Sequence, residues 1–218
     1  MDWHVWHGDY DLPDSSLGRR LRVVQERIGL ALQASPPGPL RVVSICAGQG
    51  RDLLGVLPDH PRRGDVMARL VELDPRNVAE SRRVVTSLGL DQVEIVAGDA
   101  AVTDHYEGMT PAELVLACGV FGNITDDDVE RVVGFCTQLC AKGGVLVWTR
   151  HRKQPDLFPQ VCRWLEERGF TREWLSEPDA GFGVGVHRFT DRPQPLIPGK
   201  RMFTFVGYDV LAQRGSAE

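Results

Sequence analysis

Residues 41–52 read RVVSICAGQGRD. Val42, Val43 and Ile45 form an apolar run without a polar face of period two, the pattern of a strand covered on both sides. Ala47, Gly48 and Gly50 then allow a tight turn in which a ligand can approach the backbone amides. A helix entered at that point aims its positive N-terminal end into the same space. The stretch predicts a nucleotide-type cradle on a parallel sheet.

The rest of the chain narrows what such a cradle can serve. At 218 residues there is room for one α/β domain and a short additional element. The net charge of −5 argues against general nucleic-acid binding, which needs a basic surface to displace counterions. Five cysteines, odd in number and scattered, fit neither a disulfide framework nor a zinc site. Cys136 and Cys140 lie one helical turn apart with no second pair, so packing thiols are expected and no metal. No run approaches the ~18 apolar residues of a membrane span, and the first residues are neither a signal nor a transit peptide. A cytoplasmic protein without a membrane partner is expected.

Before the cradle, residues 1–13 concentrate Trp3, His4, Trp6, His7 and Tyr10 in a polar segment, suited to a packed strap or to a lid over a site. A helix follows over 14–34, capped by Asp14 or Ser15, with Leu17, Leu21, Val24, Ile28 and Leu32 on one face. The breaker SPPGP at 35–39 ends it. Residues 1–39 are thus an N-terminal strap and helix, a candidate lid. Beyond the glycine turn the patterns predict helices over 52–57, 75–88, 125–140 and 156–168. Strands are predicted over 66–74, 93–96, 113–120 and 145–149. Asp126, Asp127 and Asp128 behind Thr125 are expected to oppose a helix dipole rather than to hold a metal. Two strand-like runs, 170–177 and 182–189, are joined by the turn PDAG and form an antiparallel pair. They complete a core over 40–191. Residues 192–218 add a proline-rich link, one extra strand over 202–208 and a tail.

Strands alternating with helices, then a hairpin, describe an open, mostly parallel α/β sheet with an antiparallel edge. Ligands of such sheets bind at the carboxyl ends of the strands, here 46–51, 72–74, 98–100 and 118–123. A nicotinamide fingerprint needs three glycines, but Gly48-Gln49-Gly50 continues as Arg51, Asp52 and Leu53. No phosphate-loop motif occurs either.

The pattern that fits resembles the class I S-adenosylmethionine-dependent methyltransferases, over about 150 residues. Ser44, Cys46, Gly48 and Gly50 look like that family's first motif with its acid and first glycine replaced. Val71-Glu72-Leu73-Asp74-Pro75 is similar to the second-strand end whose acid binds the ribose hydroxyls. Gly98-Asp99-Ala100 is similar to the motif that sets an aspartate against the adenine amino group. Cys118-Gly119-Val120-Phe121 resembles the segment along the methionine moiety. The resemblance implies a Rossmann-like seven-stranded sheet with helices on both faces. It implies S-adenosylmethionine held by Ala47, Gly48, Gln49, Gly50, Glu72, Leu73, Asp99, Ala100, Cys118, Gly119 and Phe121. Ser44 cannot carry the usual negative charge near the methionine ammonium, so Asp52 or Asp11 is a substitute.

The implied reaction is an in-line methyl transfer, in which alignment does most of the work. A base is required only if the acceptor must lose a proton, and His7, His4, Tyr10 and His151 are the candidates. Asn123 is placed to hold the acceptor, which is expected to be a small molecule. The basic run 150–153 is expected to be a solvated loop, or else to meet an acidic acceptor, and His187 to pack. A non-catalytic cofactor-binding scaffold and a nicotinamide-linked reductase are the alternatives, and the oligomeric state stays open.

Overall fold

The computed structural model describes residues 15–215. Helix α1 (Ser16–Ala34) begins where Ser15 Oγ accepts the Gly18 amide at 2.9 Å, and it buries Val24, Ile28 and Leu32. Five strands follow in parallel pairings: β1 (Leu40–Ile45), β2 (Val66–Glu72), β3 (Val93–Ala97), β4 (Ala112–Ala117) and β5 (Cys140–Arg150). Antiparallel β6 (Phe170–Leu175) and β7 (Gly183–Phe189) complete a seven-stranded sheet of order β3-β2-β1-β4-β5-β7-β6. The intervening helices are α2 (Arg51–Leu54), α3 (Pro75–Leu88), α4 (Asp126–Leu139) and α5 (Phe158–Glu167). A last helix, α6 (Tyr208–Gly215), ends the described chain.

Side chains alternate across the sheet, and both faces are covered. Val42, Leu116 and Val147 pack with α1, α2 and α3, whereas Val43, Val115 and Trp148 pack with α4 and α5. No described helix is long and apolar enough to cross a membrane. The turn after α1 is held by one side chain. The Arg62 guanidinium donates to the carbonyls of Ser35 at 2.9 Å, Pro36 at 3.0 Å and Gly38 at 2.9 Å, and it also pairs with Asp65. Arg62→Ala is expected to cost about 2–3 kcal/mol in chemical denaturation, because several carbonyls lose a charged donor at once. Arg62→Lys should recover little of this, since a single ammonium cannot reproduce the fork.

The sequence expectations need five corrections. The helix after the glycine turn is one α-turn, Arg51–Leu54, followed by a separate 3₁₀ turn at Leu57–Asp59 where Pro58 interrupts the pattern. Strand β2 ends at Glu72 rather than 74, and β4 ends at Ala117 rather than 120 because the backbone turns through Gly119 at φ 83°. Strand β5 begins at Cys140, so Gly143 and Gly144 sit inside a strand whose register shifts between Ala112 and Leu114. The strand expected over 202–208 does not form. Its amides are taken one at a time: Met202 by the Ala101 carbonyl at 2.8 Å, Thr204 by Asp128 Oδ2 at 2.9 Å, Val206 and Gly207 by the Asn123 carbonyl, each at 2.9 Å. This strap crosses the loops that leave β3 and β4 instead of lying along a sheet edge, so it finds no ladder to join.

Candidate functional site

Strand β1 lies between β2 and β4, and the connections leaving β1 and β4 go to opposite faces of the sheet. That divergence opens a crevice at the strands' carboxyl ends. A cavity of about 650 Å³ occupies it.

The glycine turn forms its floor. Gly48 at φ 57° and Gly50 at φ 67° adopt left-handed backbone, and a Cβ on Gly50 would lie 2.7 Å from Leu70 Cδ2. Cys46 also has a positive φ, 51°, a conformation costing about 1–2 kcal/mol for a residue with a Cβ. Its thiol is pushed up by burial first, then by Glu72 and Asp99. The turn is pinned from β2 and α3. Glu72 accepts the Gly48 amide through Oε2 and the Asp74 amide through Oε1, each at 2.8 Å. Ser81 Oγ donates to the Gly48 carbonyl at 3.2 Å, and Gln49 Nε2 donates to Asn77 Oδ1 at 3.5 Å. Asp74 caps α3 by accepting the Arg76 amide at 2.9 Å.

Two further carboxylates face the cavity. Asp99 accepts the Ala101 amide at 3.0 Å and pairs with Arg201 of the strap at 2.8 Å. Asp52 is buried behind the turn and accepts the Leu53 amide at 2.8 Å. Burial raises its pKa to about 6, against the opposing pull of that amide and of Arg20.

Ala47, Gly48, Gln49, Glu72, Leu73, Asp99, Ala100, Cys118, Gly119 and Asn123 all line this one cavity. Gly50 shapes the turn beside it. Phe121 does not belong to the lining, which corrects the expectation that it flanks a ligand. Because β4 has already ended, its ring turns into the core, 5.7 Å from the centroid of Trp148. His151 also lies outside the lining, half-buried and edge-on to Tyr208 at 5.1 Å between centroids. Burial, then Arg150 and Lys153, lower its pKa. His4, His7, Tyr10 and Asp11 lie outside the described residues.

The basic run is a solvated loop only in part, with Lys153 exposed. Arg150 is buried against Asp126 at 3.1 Å, Arg152 pairs with Asp156 at 2.9 Å, and Lys153 donates to the Tyr208 hydroxyl at 2.8 Å. Thr125 Oγ1 accepts the Asp128 amide at 3.2 Å, so the acids of α4 do open a capped helix. His187 packs as expected, accepting from Trp148 Nε1 at 3.1 Å.

Sequence reasoning offered residues 1–39 as a candidate lid, but it missed the strap that forms the second cover of the cavity. Arg20, Leu21 and Val24 of α1 close it from one face of the sheet, and Phe203 and Phe205 of the strap from the other. The only local signal for the strap was the spacing of two phenylalanines, which puts both on one side of an extended chain.

A family model described as "Putative methyltransferase" matches residues 18–174. The Uncharacterized protein YnbC of Escherichia coli strain K12 is 26% identical over 121 residues, 54% of this chain and 20% of that protein. The chain therefore spans about a fifth of that relative's length. An O-methyltransferase family protein from Burkholderia thailandensis superposes with a TM-score of 0.60 at 16% identity, over 78% of this chain and 57% of that one. The CurJ carbon methyltransferase superposes with a TM-score of 0.67 at 17% identity, over 86% of this chain and 58% of that one. At these identities the superpositions show a shared fold.

Proposed function

We propose that this chain, which belongs to the methyltransferase family whose model matches residues 18–174, is a class I S-adenosylmethionine-dependent member that binds S-adenosylmethionine in the β1–β4 crevice and methylates a small-molecule acceptor. The observation that carries this reading is Glu72, a carboxylate at the end of β2 that lines the cavity with acceptor capacity to spare. An ionised carboxylate offers about four lone-pair positions. The Gly48 and Asp74 amides use one each, leaving room for two ribose hydroxyls. Asp99 suits the adenine amino group, and Asp52 supplies the negative charge that buried Ser44 cannot place near the ammonium. Bound there, S-adenosylmethionine supplies an electrophilic methyl group on a sulfonium. The residues of this chain align it and exclude water, through α1 and the strap; alignment of this kind can contribute roughly 7–11 kcal/mol. Residues 40–191 then form the binding core, with α1 and the strap as its covers.

Calorimetry with S-adenosylhomocysteine and with NAD(P) tests the reading. Binding of the first and not the second is expected; the reverse would make the protein a nicotinamide enzyme. Binding without transfer of a labelled methyl group to any member of a broad acceptor panel would make it a scaffold.

Asp52 adds a pH dependence. With its pKa at about 6 in the folded protein, the carboxylate is charged above that value and attracts an ammonium. S-adenosylhomocysteine affinity is expected to fall by up to about tenfold per pH unit below 6, and Asp52→Asn should flatten the profile and weaken binding at pH 7. The stability effect has the opposite sign. A pKa raised above the unfolded value favours the folded state at low pH, and that contribution is lost as pH rises from ~4 through ~6. Calorimetric titrations from pH 5 to 8 at about 0.15 M salt check both.

A further inference from the structure

Asp99 reaches the cavity from the loop that follows β3, and the strap lies directly against that loop. Arg201 forms an antiparallel bridge with Val102. The Met202 amide donates to the Ala101 carbonyl at 2.8 Å, and the Thr103 amide to the Lys200 carbonyl at 3.0 Å. The Gly199 amide adds a bond to Asp104 Oδ2 at 2.8 Å. These bonds set the register of loop and strap. In that register Arg201 Nη1 donates to Asp99 Oδ2 at 2.8 Å, while Asp99 Oδ1 accepts the Ala101 amide at 3.0 Å. Each carboxylate oxygen has one bond and keeps a second lone pair. A carboxylate turns broadly about its terminal torsion; held at both oxygens, this one cannot turn without breaking a bond. An exposed ion pair is ordinarily weak, because ordering two mobile side chains offsets the attraction. Here the backbone bonds have already fixed where both side chains start. Arg201 does not itself line the cavity, and it lies beyond the residues 18–174 that the family model matches.

Taking the cofactor reading above as premise, we propose that Arg201 is a positioning residue that selects the base of the cofactor. It acts through Asp99, fixing the carboxylate so that the remaining lone pairs meet a 6-amino group and reject a base with oxygen at that position. An ionised carboxylate accepts hydrogen bonds and donates none. A 6-amino group supplies the donor it needs, whereas a 6-oxo group sets oxygen against oxygen and leaves both unpaired. The more firmly the carboxylate is aimed, the larger the difference in affinity between the two bases. The strap then takes part in choosing the cofactor as well as in covering it.

Calorimetry on the full chain with S-adenosylhomocysteine and its 6-oxo analogue, S-inosylhomocysteine, tests this. The wild-type protein is expected to prefer the adenine ligand by about a hundredfold. Arg201→Ala should weaken S-adenosylhomocysteine binding about fivefold and S-inosylhomocysteine binding by less than about twofold, so that the preference narrows. The contact uses a single guanidinium nitrogen, so Arg201→Lys should keep S-adenosylhomocysteine affinity within about twofold of wild type. In an Asp99→Ala background, Arg201→Ala should change that affinity by less than about twofold, because the arginine then has nothing to aim. Equal weakening of both ligands by Arg201→Ala would assign the residue to closure of the strap alone and overturn the proposal. An arginine effect that persists without Asp99, or an Arg201→Ala variant with the affinity and preference of wild type, would overturn it too. Each of these outcomes leaves the cofactor reading intact. Absence of S-adenosylhomocysteine binding to the wild-type protein would overturn that reading and the proposal with it.

Discussion

Glu72→Ala is expected to weaken S-adenosylhomocysteine binding by about a hundredfold. Two hydroxyl bonds to a charged acceptor are each worth roughly 1.5–3 kcal/mol, so the lower bound for the pair is about 3 kcal/mol. The same substitution releases the Gly48 and Asp74 amides and loosens the glycine turn itself. A stability loss of about 1–3 kcal/mol should accompany the loss of affinity. Glu72→Gln separates the two effects. It keeps the shape and one carbonyl acceptor, but whichever way the amide is turned its nitrogen faces a backbone N–H. Affinity should then fall about tenfold. The measurement is calorimetry at a temperature where circular dichroism shows the variants folded. An affinity for the folded alanine variant within about threefold of wild type would remove Glu72 from the site.

Gly185→Ala should be among the most damaging single methyl groups in the sheet. Gly185 pairs directly with Trp148 across β5 and β7, and the indole lies over it. A Cβ there would meet the Cε2 atom at 2.4 Å and both Cζ2 and Nε1 at 2.5 Å. The indole has nowhere to move. Its ring centroid is 4.6 Å from Phe158, 5.7 Å from Phe121 and 5.9 Å from His187. Its Nε1 also donates to His187, whose pKa is lowered to about 4 by burial first and then by Arg172, so the ring stays neutral and able to accept. Overpacking of a locked core site is expected to cost about 3 kcal/mol, lowering Tm by about 6–12 °C in a chain of this size. Adding Trp148→Phe should restore part of the loss, a coupling that a double-mutant cycle reads directly. A Tm for Gly185→Ala within about 2 °C of wild type would mean that β7 yields where the geometry says it cannot.

These two residues mark how far the sequence reaches. Glu72 is legible because Val71-Glu72-Leu73-Asp74-Pro75 resembles the family's second-strand end, and β2 does end at Glu72 with Asp74 and Pro75 opening a helix two residues later. Gly185 is not legible. A glycine in a strand signals a close approach, but which ring approaches is set by a cross-strand register 37 positions away in the chain, Trp148 against Gly185. Phe121 and Phe205 make the same point. One follows a strand-like run and the other lies within one, yet the first turns into the α4–α5 core because β4 stops at Ala117, and the second reaches the cavity because Asn123 holds the amides beside it. The basic run 150–153 reads as solvated, since its partners Asp126, Asp156 and Tyr208 come partly from elements that only folding brings close.

What the sequence determined by itself is the alternation of strands and helices, the glycine turn, and Glu72 and Asp99 at two strand ends. These rest on backbone preference and periodicity, which act over a few residues. The tertiary structure decided which side chains cover the cavity. Helix α1 comes from one end of the described chain and the strap from the other, and Arg201 reaches Asp99 across 102 positions. Contacts at that separation depend on the packing of the whole sheet, and no local pattern encodes them.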